Sequence, residues 1–105
     1  MAGRAFNDYS TAVEGGAPVQ LRYLIEGRLD GPGYLAFVAD RAGWLAIDGW
    51  ARQRTDGRVE MVAAGPEALV GALEMACTLG PLDALIERIV AVEEPGVVGV
   101  GFELR

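Results

Sequence analysis

The sequence predicts an α+β domain, an antiparallel sheet with two helices on one face, and three observations carry that expectation. Apolar residues alternate at period two in several short runs. Two stretches between them repeat at the helical period instead, and Gly, Pro or Asp-Gly stands at the changes of period. Composition allows one folded unit: of 105 residues, 51% are hydrophobic and 23% charged, which is globular and not disordered. A chain of this length can bury roughly two-thirds of its unfolded surface in one core.

The elements follow in order. Residues 1–17 carry Gly3, Gly15 and Gly16 among small and polar residues without a sustained period, so they are expected to be a flexible extension or a vector remnant, with the domain running over 18–105. Val19, Leu21, Tyr23 and Ile25 alternate with Gln20, Arg22 and Glu26, which makes a strand with one buried face. Gly27 to Gly33 reads as a loop. From Tyr34 the apolar spacing turns helical through Val38, Ala42 and Leu45. Ile47 to Arg54 is a second strand centred on Trp50, which is read as core. Thr55-Asp56-Gly57 is a hairpin turn, because Asp-Gly supplies the positive φ that tight turns need. Val59, Met61 and Ala63 face inward on the return strand, with a bulge considered at Met61. Pro66 is placed at the first position of a second helix whose inner face is Leu69, Leu73, Ala76 and Cys77, and Gly80-Pro81 stops it. Leu85 to Glu93 is a fourth strand, and Val100, Phe102 and Leu104 alternate in a short last one. The order β-α-β-β-α-β is the split βαβ arrangement of ferredoxin-like folds.

Charge and residue types exclude several functions. Nine basic residues, all Arg, stand against 15 acidic ones for a net charge of −6, which speaks against nucleic acid as a partner. With no His and no Lys, imidazole base catalysis, Schiff-base chemistry and His-containing metal sites are excluded. The lone Cys77 cannot form an internal disulfide, no apolar run approaches the ~18 residues of a membrane span, and Met1 to Asn7 lack a secretory pattern. A cytoplasmic protein without a membrane partner, monomeric or weakly dimeric, is the resulting expectation.

One motif carries more than fold. Gly27-Arg28-Leu29-Asp30-Gly31-Pro32-Gly33-Tyr34 resembles the acylphosphatase signature Gly-Arg-Val-Gln-Gly-Val-Gly-Phe-Arg, which lies between the first strand and the first helix. Gly49-Trp50-Ala51-Arg52 resembles the family's Gly-Trp-Val-Arg-Asn. The likeness runs on through Asp56-Gly57-Arg58-Val59-Glu60, Gly65-Pro66-Glu67 and Gly80-Pro81 to Gly101-Phe102-Glu103-Leu104-Arg105. It covers about residues 19–105 and implies hydrolysis of acyl phosphates without metal or cofactor. The resemblance also implies the mechanism: backbone N–H groups of the loop Arg28, Leu29, Asp30, Gly31, Pro32 and Gly33 cradle the phosphate at a helix start. An Arg closing the signature grips the phosphoryl oxygens, and an Asn ending the second strand positions the attacking water.

Both of those catalytic positions are substituted: Leu35 stands at the Arg position and Gln53 at the Asn position. Asp30 replaces the signature Gln, placing a carboxylate where an anion should sit, and Pro32 replaces a Val and so lacks an N–H. Losing a bidentate cationic donor commonly lowers a rate by about 10²–10³. Three readings follow. The first is a catalytically lapsed acylphosphatase-like protein that keeps the scaffold for binding or structure, with a phosphate-containing small molecule as candidate ligand. The second is a weakly active acylphosphatase, since Gln53 keeps an amide. The third is a small-molecule-binding regulatory module on the same fold.

Each singled-out residue also has a plainer reading. Leu35 is either core or an apolar lining that changes what the loop binds, and Asp30 can be a solvated loop charge. Trp44, on the flank of the first helix, is left to packing against residues 1–17, to a dimer or partner surface, or to no role. Cys77 is read as a buried apolar residue, and Glu93-Glu94 as a charge cluster beside a turn rather than an acid–base pair.

Overall fold

The structure, a computed structural model, describes residues 16–105, so most of the expected extension lies outside the described residues. Strand β1 (Pro18–Arg28) leads to helix α1 (Gly31–Trp44). Strands β2 (Asp48–Gln53) and β3 (Val59–Pro66) form a hairpin, helix α2 (Glu67–Leu79) follows, and β4 (Leu85–Glu93) and β5 (Phe102–Leu104) complete the chain. The sheet order is β4-β1-β3-β2-β5, antiparallel throughout except that β5 lies parallel to β2. The expected α+β arrangement is thus present, with a mixed sheet in place of a purely antiparallel one.

Register decides which side chains meet. Tyr23, Met61 and Ala51 lie opposite one another across β1, β3 and β2, on the face that the helices cover. Ile25, Val59 and Ala63 join them there, and the helices contribute Tyr34, Val38, Ala42, Val70, Leu73 and Cys77, all buried. The buried Tyr34 hydroxyl donates to the Cys77 carbonyl at 2.6 Å, tying α1 to α2. The inner face of α2 therefore turns on Val70, Leu73 and Cys77, with Leu69 and Ala76 only half-buried; the expected face was off by part of a turn.

Trp50 corrects the reading of β2. It points to the face away from the helices, half-buried, with the Arg105 guanidinium 4.7 Å from its ring centroid. The helix side of β2 belongs to the buried Gly49 and Ala51. At Gly49 (φ 142°) an added Cβ would overlap the Val62 carbonyl oxygen of β3, so the small residue is dictated by the close strand approach. Other elements shift locally. Residues 27–33 are not a long loop: β1 runs through Arg28 and α1 starts at Gly31, leaving Leu29 and Asp30 between them. Pro66 ends β3 and caps α2 instead of opening it. No bulge interrupts Met61; the register slips between Glu26 and Gly27, where β4 carries Glu87 as the extra residue. The Asp-Gly hairpin is where the sequence puts it, with Gly57 at φ 90°.

Candidate active site

The site-bearing segment is the tight junction from β1 into α1. Asp30 adopts extended geometry (φ −82°, ψ 109°) as the N-cap of α1, and its carboxylate accepts the Gly33 N–H at 3.2 Å. The Tyr34 N–H bonds the Asp30 carbonyl at 2.7 Å, closing the first helical turn. Pro32 occupies the first turn and has no N–H. The helix start would ordinarily offer its free N–H groups and positive dipole end to an anion. Here the chain supplies the anion itself. The sequence pattern carries the signal for this cap, an Asp directly before Gly-Pro.

Gln53, the last residue of β2, lies beneath that junction. Gly31 is buried against it, and a Cβ at Gly31 would overlap the Gln53 amide, which would have to swing aside. The amide Nε2 donates to the Gly57 carbonyl at 3.4 Å, which turns it back toward the hairpin. Leu35 projects from the second turn of α1, half-buried, and packs against the core; Leu29 does the same. At position 35 the apolar side chain is therefore part of the packing between α1 and the sheet.

The arginines near this junction are mostly engaged. Arg52 and Gln53 point to opposite faces, and Arg52 donates from Nε to Glu60 Oε1 at 2.9 Å with its Nη2 at 2.8 Å. Arg22 also binds Glu60, on Oε2. Burial alone would push the Glu60 carboxyl up, but hydrogen bonds from Arg52 and Arg22 outweigh it and hold it below its ordinary value. Arg54 binds Asp56 at 3.1 Å, and Arg58 binds Asp56 at 2.8 Å and Glu26 at 3.8 Å. Hydrogen bonds from Arg58 bring the Asp56 carboxyl down to about 2. Arg28, exposed at the end of β1, is left as the signature arginine beside the loop.

The family model for acylphosphatase matches residues 21–104. The chain belongs to the acylphosphatase family. An acylphosphatase of Azorhizobium caulinodans is 41% identical over 85 residues, covering 80% of this chain and 91% of the relative. One from Rhodopseudomonas palustris is 40% identical over 78 residues, covering 73% of this chain and 79% of its own. Among solved structures, the acylphosphatase of Bacillus subtilis superposes with a TM-score of 0.76 at 31% identity, covering 83% of this chain and 98% of that one.

Against that membership, the acylphosphatase junction of this chain holds an apolar residue at position 35, a capping carboxylate at 30 and an imino acid at 32. The remaining singled-out residues fall elsewhere. Trp44 is 75% exposed at the end of α1, with the Arg41 guanidinium 4.8 Å from its ring and 5.0 Å from that of Phe37. Its expected packing against residues 1–17 falls largely outside the described residues. Cys77 is fully buried, and burial pushes its thiol up to about 12. Glu94 pairs with Arg22 at 3.4 Å and Glu93 is exposed, so the two do not act together. Among the described residues, no helix is long and apolar enough to cross a membrane.

Proposed function

We propose that this acylphosphatase is catalytically lapsed and keeps its scaffold for binding or structure, with the cytoplasm as its setting. One observation carries the reading: the Asp30 carboxylate occupies the Gly33 N–H at 3.2 Å, so the helix start is already capped by a negative charge where the family holds a phosphate. Three others support it. Leu35 offers no charge and packs inward, Pro32 withdraws an N–H, and the Gln53 amide donates to the Gly57 carbonyl. The nearby arginines that would have to substitute, Arg52, Arg54 and Arg58, hold carboxylates instead.

The test is benzoyl phosphate hydrolysis by the purified chain beside an active family member. Loss of one bidentate anion donor alone lowers a rate by about 10²–10³, so turnover at least ~10²-fold below the control is expected. Turnover equal to the control would overturn the proposal, and a rate between those bounds would favour the weakly active reading in which Gln53 still positions water.

A further inference from the structure

We infer that the outer edge of β4 is a docking surface for a second copy of this chain, which pairs antiparallel on it with Ala91 facing the partner's Ala91. Strand β4 is an edge of the sheet, and among the described residues only β1 pairs with it. A free edge presents unpaired N–H and C=O groups and is a template for another strand unless it is interrupted. Two interruptions are present, and they define the usable segment. The bulge at Glu87 breaks the strand on one side and Pro95 ends it on the other, leaving residues 88–94 as one regular edge whose midpoint is Ala91.

The backbone directions agree with that midpoint. The Glu94 N–H donates to the Gln20 carbonyl at 2.9 Å, so Glu94, and with it Val92, Val90 and Arg88, turns its backbone groups toward β1. Ile89, Ala91 and Glu93 then turn theirs outward. A two-fold axis through Ala91 lets the two Ala91 residues exchange both hydrogen bonds, with Ile89 and the partner's Glu93 forming the next bonded pair on each side. The helices of both copies remain on one face of a continuous ten-stranded sheet, because residues of equal parity are opposed.

Side chains choose among the registers that the backbone permits. Centring on Ala91 sets Val90 against the partner's Val92 and Arg88 against the partner's Glu94, each twice. Centring on Arg88 opposes two arginines, centring on Val90 opposes Glu87 to Glu93, and centring on Ile89 leaves Arg88 against a valine. Charge complementarity thus selects the same register as the bulge and the proline. Val90 and Val92, 38% and 52% exposed, lie beside Leu24 on the open face of the sheet, and pairing would join the two patches. An edge of this length buries less than the ~1,200 Å² of a stable complex, so the dimer is weak, with a dissociation constant on the order of 10–1,000 μM.

Sedimentation equilibrium on the full chain tests this, and a monomer–dimer equilibrium in that range is the expected result. Arg88→Glu sets like charges opposite each other at both ends and should weaken association at least ~10-fold. Ala91→Pro removes an outward N–H without touching the β1 ladder and should abolish association, with circular dichroism confirming the fold. Register is read by oxidising a mixture of the Val90→Cys and Val92→Cys variants, where the cross-link between positions 90 and 92 should exceed the 90–90 and 92–92 products. A chain that is monomeric to about 1 mM would overturn the inference. So would a dimer indifferent to Arg88→Glu, or one without the 90–92 preference.

Discussion

On the proposed lapse, restoring the family residues of the β1–α1 junction should raise acyl phosphate hydrolysis by this chain. The variant carries Leu35→Arg, Gln53→Asn, Asp30→Gln and Pro32→Val. Asp30→Gln acts on the largest identifiable repulsion. An anion taking the Gly33 N–H would have to displace the carboxylate that now accepts it at 3.2 Å, to an assumed charge separation of roughly 6 Å. At an effective dielectric near 20 that costs about 3 kcal/mol, or ~10² in rate if the transition state carries the charge. Leu35→Arg returns a bidentate cation, with a further ~10²–10³ at stake, and Pro32→Val returns one N–H. Gln53→Asn shortens the amide, so that it no longer reaches the Gly57 carbonyl. The gains overlap, since Leu35→Arg by itself would pair with Asp30, and the four together should raise benzoyl phosphate hydrolysis by at least ~10²-fold. Losing the Asp30 cap lowers stability by about 1 kcal/mol, so the melting curve is measured alongside the rate. A quadruple variant that is folded and still as slow as the parent would refute the reasoning, as would a parent that already turns over like an ordinary family member.

Backbone geometry supplies further predictions. Gly49→Ala should destabilise by about 3 kcal/mol or more, because its Cβ would overlap the Val62 carbonyl oxygen as well as take a positive φ. Gly57→Val, where the space is open and only the φ of 90° is strained, should lower stability by about 1–2 kcal/mol; equal denaturation midpoints for these two variants would contradict the account. Ala46 is a non-glycine residue at φ 54°, and it stands just past the end of α1, where its own N–H bonds the Gly43 carbonyl and the Ile47 N–H bonds the Ala42 carbonyl. This is the helix stop that glycine ordinarily fills, so Ala46→Gly should raise the urea midpoint, by up to ~1 kcal/mol in stability. Cys77, buried and with its thiol pushed up to about 12, should react with a thiol reagent at neutral pH only as fast as the protein unfolds. Rapid labelling of the native chain would place it outside the core.

The alternation in β1 and β3, the Asp-Gly turn and the Gly80 stop were legible in the chain because each depends on a local period or a single backbone conformation. That Leu35 and Gln53 stand where the family signature has Arg and Asn is equally legible, since it is a matter of residue identity at a motif. Two features were not. Its place mid-strand after Gly49 points Trp50 to the core, but its side is set by Gly49, which alone lets β2 close on the Val62 carbonyl, a contact made across the hairpin. The inner face of α2 turned on Val70 because a helix of apolar residues on several sides takes its phase from the sheet it lands on. In each case the deciding contact joins separate elements, and neither local propensity nor periodicity encodes the distance between them.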